Sequence, residues 1–225
     1  MNVQAERSAG YSALCFVVLT VAALLLTGVT LPDVTTKPTD LAAYAAVHRF
    51  GLLWGAWLTL PAAAFFLWFL VGLRSYLDHA PGRQEGLGTF AFGAGLLAIA
   101  VALVTSMLQT AVAYVSPDLF VVDGIAALYV ALIFTIGGLG WAPISIFLFA
   151  AAHSMRRHKS APPGLALLGY FAAFTAGVAT LGIFFTDPAM GPVGYVSGLL
   201  GAVPGLLWLI WTGFALIGIK QSGEA

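Results

Sequence analysis

Apolar residues dominate this chain, and its few charges divide it. Charge-free intervals separate Arg7 from Asp33, Arg49 from Arg74, Glu85 from Asp118, Asp123 from Arg156, Lys159 from Asp187, and Asp187 from Lys220. Each exceeds the roughly 20 residues that a helix rising about 1.5 Å per residue needs to cross some 30 Å of hydrocarbon. Nothing alternates between polar and apolar at the period of a barrel strand. The pattern predicts an all-α polytopic membrane protein with six transmembrane helices. They fall at about 11–31, 49–74, 88–113, 124–152, 164–185 and 195–219, in a single domain over residues 1–225. The first apolar stretch, from Tyr11 to Leu31, outruns the roughly 7–15-residue core of a cleaved signal peptide. It is expected to stay as the first helix.

Composition excludes a soluble domain. Hydrophobic residues make up 60% of the chain and charged residues 8%, against roughly 45–50% and 25% in globular domains. The formal net charge is zero, so no nucleic-acid partner is expected. The basic residues set an orientation. Alternate connections place Arg7, Arg74, Arg83, Arg156, Arg157, Lys159 and Lys220 on one side, and Lys37 and Arg49 on the other. An excess of basic residues marks the cytoplasmic side. Both termini are therefore expected in the cytoplasm, and the protein in the cytoplasmic membrane of a bacterium.

The connections are short. The longest, Pro32 to His48, ends in a helical pattern that Thr39 or Asp40 can cap, so the second helix is expected to start outside the bilayer and run in unbroken. The connection from His153 to Gly164 is basic and ends in Pro-Pro-Gly, and its charge favours anionic headgroups. Pro61, Pro143 and Pro204 fall inside predicted helices two, four and six, where each removes one backbone hydrogen bond. Gly51 and Gly55, and likewise Gly201 and Gly205, are spaced for close helix approach. A weak repeat relates 74–95 to 156–177, pairing Arg74 with Arg156 and Phe92 with Phe174.

Candidate chemistry is sparse. No predicted span carries Asp, Glu, Lys or Arg at its middle, where coupled transport or catalysis usually needs one. The single cysteine, Cys15, excludes an internal disulfide and multi-cysteine metal sites. His48 has no histidine partner at its depth, which disfavours a transmembrane bis-histidine haem. His79, His153, His158 and Asp78 share one side but follow no zinc-ligand spacing. No catalytic residue, metal or cofactor is predicted. What remains is an outer polar belt: His48 and Arg49, then Thr105, Ser106, Gln109 and Thr110, then Asp118 and Asp123, then Thr186 and Asp187. The candidate ligand-binding residues are His48, Arg49, Trp54, Gln109, Asp123 and Asp187, with Trp57 beside them. Arg49 is expected to pair with Asp123 or Asp187, and Gln109 to find an interhelical partner. The bland alternative makes Arg49 an interfacial anchor and the polar residues helix glue.

The arginine opening the second helix, His48-Arg49-Phe50-Gly51, and the stretch from Trp141 to Gly169 carry a resemblance. In that stretch a helix with a serine near its end leads to a basic turn, Pro-Gly and a leucine-rich helix. The layout resembles a bacterial family of six-span membrane proteins known only as domain of unknown function 4386. A polar or acidic residue often follows that family's arginine within two turns, whereas here the region reads Leu-Leu-Trp-Gly-Ala-Trp. The resemblance implies six spans and no assigned activity. The expectation is a non-enzymatic accessory subunit or lipid-interacting scaffold, with membrane lipids and other membrane-protein subunits as partners. The alternative is a small uncoupled transporter or ligand-binding protein with an outward-facing polar pocket.

Overall fold

A computed structural model describes residues 3–28, 32, 36–78, 86–114, 122–158, 161–187 and 189–218. They form seven α-helices: α1 Val3–Thr27, α2 Pro38–Asp78, α3 Leu87–Tyr114, α4 Val122–Ile133, α5 Trp141–His158, α6 Pro163–Ala179 and α7 Tyr195–Ile217. Among the described residues there is no strand, and six segments are long and apolar enough to cross a membrane. The fourth of these, Ala126–Arg157, is α4 and α5 in series.

Helix ends follow local chemistry. α1 stops at Thr27 because Gly28 takes φ +95°, the left-handed conformation that glycine adopts without penalty at a helix C-terminus. The apolar pattern alone placed this end a turn later, at Leu31. α2 begins with Pro38 in its first turn, where a missing N–H costs nothing. Thr39 and Asp40 therefore lie inside the first turn instead of capping it. The helix then runs on unbroken through Pro61 for 41 residues, about 60 Å at the usual rise, twice the thickness of the hydrocarbon.

The fourth span is not one rod. After Ile133 a π-helical turn covers Phe134–Gly138, closed by Leu139 N–H donating to the Phe134 carbonyl at 3.1 Å. Pro143 therefore sits in the first turn of α5, where its lost donor is harmless. At the same end of the bundle a 3₁₀ turn, Thr180–Phe184, closes the fifth span. Gly137 is pressed against the Pro192 carbonyl so closely that any Cβ would collide with it.

The spans form a closed ring in chain order: α1 packs on α2, α2 on α3, α3 on α5, α5 on α6, α6 on α7 and α7 back on α1. An aromatic series fills the middle. Phe16 lies 4.7 Å from Phe66, Phe66 lies 5.6 Å from Phe147, and Phe147 lies 5.8 Å from Trp208, between ring centroids. Trp208 is 0% exposed. Both ring faces of this tryptophan therefore belong to the core. A second cluster closes the end of the bundle where α2 and α4 begin; there Leu41, Ala45 and Leu52 of α2 meet Val112, Tyr129 and Leu132.

Candidate functional site

The outer polar belt does not converge on one point. Like Ser106 of the same belt, Gln109 is buried, at 7% exposed. Its Nε2 donates to Thr27 Oγ1 at 3.1 Å and to the Leu52 carbonyl at 2.9 Å, which joins α1, α2 and α3. Gly55 makes room for this, since a Cβ there would collide with Thr27 Oγ1 and approach Gln109 Nε2 to 2.9 Å. Thr105, Ser106 and Thr110 donate back to carbonyls four residues earlier on α3, a local pairing common for hydroxyls inside helices.

Arg49 and His48 are exposed at the outer end of α2. The Arg49 guanidinium lies 4.9 Å above the Tyr114 ring, and among the described residues it makes no ion pair. His48 stacks on Tyr44 at 4.2 Å, with Nδ1 3.0 Å from the Tyr44 carbonyl. Trp54 and Trp57 contact each other edge to face at 5.5 Å on the exposed side of α2. Asp187 is exposed and accepts from the backbone N–H of Ala189 at 2.8 Å and of Met190 at 3.2 Å, so it caps its own loop. Asp118 and the side chain of Asp123 lie outside the described residues.

The opposite end of the bundle, where α1 begins and α7 ends, holds a cleft of about 470 Å³ lined by His153, Arg156, Arg157 and Tyr170. Its first three residues come from the end of α5 and the fourth from α6. His153 Nδ1 is 3.0 Å from the Tyr170 hydroxyl, and the Arg156 guanidinium lies 5.9 Å from the centre of the Tyr170 ring. Phe149, one turn deeper, stacks on His153 at 5.9 Å and meets Tyr170 edge to face at 5.6 Å. Phe149 is 53% exposed and Phe174, one turn deeper on α6, is 70% exposed. Along the two helices the surface thus grades from the guanidinium, hydroxyl and imidazole groups of the cleft to exposed aromatic rings beyond its lining. That order matches the passage from headgroup to hydrocarbon in a bilayer.

Sequence reasoning singled out the basic connection but missed Tyr170. The signal available was hairpin register. His153 and Tyr170 lie equally far in sequence from the Ala161-Pro162 turn, so an antiparallel hairpin brings them level. The residues weighed for zinc include His79 and the side chain of His158, which lie outside the described residues; among those described, no three potential ligands converge. The repeat has a structural counterpart. Arg74 ends α2 over the Phe92 ring of α3, at 5.4 Å, much as Arg156 ends α5 over α6. The offsets differ, because Arg156 sits over Tyr170 and not over Phe174.

Glu6 is a second feature that the charge pattern hid. It is 1% exposed in the first turn of α1, and among the described residues neither carboxylate oxygen has a hydrogen-bond partner. One turn on, Gly10 packs against the Gly213 carbonyl and Ile217 of α7. The positive end of the α1 dipole offers the carboxylate some compensation.

Compared with known protein families, curated proteins and solved structures, the chain matches none.

Proposed function

We propose that this protein is a non-enzymatic, lipid-interacting scaffold of a bacterial cytoplasmic membrane, with both termini in the cytoplasm. The observation that carries the reading is the α5–α6 groove, whose polar end is basic and whose deep end is exposed aromatic surface. Only an amphipathic ligand uses both ends at once. The orientation rests on the seven-to-two distribution of basic residues. The resemblance to the domain of unknown function 4386 family agrees with this reading, which asks for six spans and no reaction chemistry.

The filled interior supports a scaffold over a transporter. Carriers place their sites near mid-bilayer, at broken helices around a polar cavity, whereas here the middle of the ring holds the Phe66, Phe147 and Trp208 rings. The test is mass spectrometry of lipids retained through gentle detergent purification, comparing wild type with Phe149→Ala/Phe174→Ala. Co-purified lipid that falls with the double variant supports the proposal. A wild-type protein that retains no lipid, or a variant that retains as much, overturns it.

A further inference from the structure

We infer that the α5–α6 groove is a site for an anionic phospholipid, whose headgroup phosphate is held by Arg156 and Arg157 while an acyl chain lies along Phe149 and Phe174. This rests on the lipid-binding reading above and names its ligand. Arg156 is exposed, and its contact with the Tyr170 ring face occupies none of its five N–H donors. Planar guanidinium groups match phosphate oxygens in pairs, and a charge-assisted bond is about twice as strong as a neutral one. Arg157 adds a second guanidinium at the same rim.

The deeper members fit the next part of a lipid. His153 and Tyr170 share a hydrogen bond at 3.0 Å. When the ring nitrogen donates, the phenol proton points elsewhere and can reach an ester carbonyl or a phosphate oxygen. When the phenol donates, its oxygen accepts from a headgroup hydroxyl. Both tautomers offer the ligand a polar contact one turn below the arginines. Volume is also adequate, since cavities for small molecules usually span about 300–1,000 Å³ and this one holds about 470 Å³.

A free phosphate and a lipid headgroup present the same chemistry to the arginines. The exposed Phe149 and Phe174 rings directly below favour the lipid, because an inorganic ion leaves them unused. A zwitterionic lipid fits less well, since its amine brings a positive charge back to a rim that already carries two.

The experiment is native mass spectrometry, with matched titrations by tryptophan fluorescence, on full-length protein in uncharged detergent. The probes are phosphatidylglycerol, phosphatidylcholine, oleate and inorganic phosphate. Phosphatidylglycerol should bind best, and Arg156→Gln should weaken it at least roughly tenfold, the loss expected for a charge-assisted bond. Tyr170→Phe should weaken it less, and neither substitution should alter helicity by circular dichroism. Oleate or phosphatidylcholine binding as tightly as phosphatidylglycerol overturns the phosphate assignment and leaves the lipid groove standing. Inorganic phosphate displacing the lipid at equal concentration overturns the lipid as ligand. Indifference to Arg156→Gln overturns the placement of the phosphate, and no binding by any lipid sinks this inference and the function it rests on together.

Discussion

Alanine at Gly55 should destabilise the bundle more than removal of the glutamine it accommodates. Hydrogen bonds between membrane helices contribute about 0.6 kcal/mol on average and at most about 1.7. Gln109→Leu keeps the side-chain size and removes two of them. Neither acceptor is orphaned. Thr27 still donates to the Ala23 carbonyl at 2.8 Å, and the Leu52 carbonyl remains within the α2 ladder. The expected loss is about 1–2 kcal/mol. Gly55→Ala places a methyl group where Thr27 Oγ1 now sits and 2.9 Å from Gln109 Nε2. Both bonds stretch and α1 is pushed away from α2, which adds an overpacking penalty of about 1–3 kcal/mol. The sum is about 2–5 kcal/mol. Thr27→Ala removes the oxygen that the new methyl group meets, so in that background Gly55→Ala should cost about 1 kcal/mol less. Equilibrium unfolding in mixed micelles, followed by tryptophan fluorescence and circular dichroism, measures the three single variants and the Thr27→Ala/Gly55→Ala double variant against wild type. If Gly55→Ala costs no more than Gln109→Leu, or if Thr27→Ala gives no relief, the close approach of α1 and α2 is not what seats the glutamine.

Glu6→Leu should raise the unfolding midpoint, by about 1–3 kcal/mol of stability, because it removes a buried carboxyl that has no partner among the described residues; a loss of stability would show that Glu6 is satisfied in the membrane. Phe147→Ala should cost about 3–5 kcal/mol, since this 2%-exposed ring bridges Phe66 and Trp208, and a smaller loss in the same micelle assay would mean that the centre of the ring repacks. In a Cys15→Ala background, a membrane-impermeant maleimide should label Lys37→Cys in intact cells but Arg157→Cys only after permeabilisation, and the reverse pattern refutes the orientation.

The six spans were legible because ionised side chains are expelled from hydrocarbon, and eighteen charges suffice to mark where chain leaves it. What charge spacing cannot register is backbone geometry at constant hydropathy. Residues 134–138 are as apolar as their neighbours, so the π turn was invisible. Its determinants are the glycine-rich run ending at Gly140, the Pro143 ring, and a carbonyl at Pro192 some fifty residues away. The burial of Glu6 escapes charge spacing for a related reason. It stands one residue from Arg7 and looks like part of a solvated end, yet the helix starts at Val3 and turns the two side chains to different faces, one buried and one exposed. Gln109 was expected to need an interhelical partner. Its actual partners, Thr27 and the Leu52 carbonyl, depend on how deeply two glycines let α1 approach, a distance that no residue pattern records.

The two polar sites differ in whether their hydrogen-bonding capacity is spent. Around Gln109 both donors end on groups of the bundle itself, and the node is roofed by three helices. A ligand would have to break those bonds to enter, so the node works as a clamp. At the α5–α6 groove, Arg156 is exposed and leans on the ring of Tyr170, an interaction that uses none of its N–H donors. A bilayer supplies acceptors at that depth without any rearrangement of the protein. Sequence reasoning ranked the outer belt first because it holds more polar residue types. The ranking reverses once each donor is followed to its acceptor, because recognition needs capacity left open towards the ligand, and polar residues that satisfy one another have none to offer.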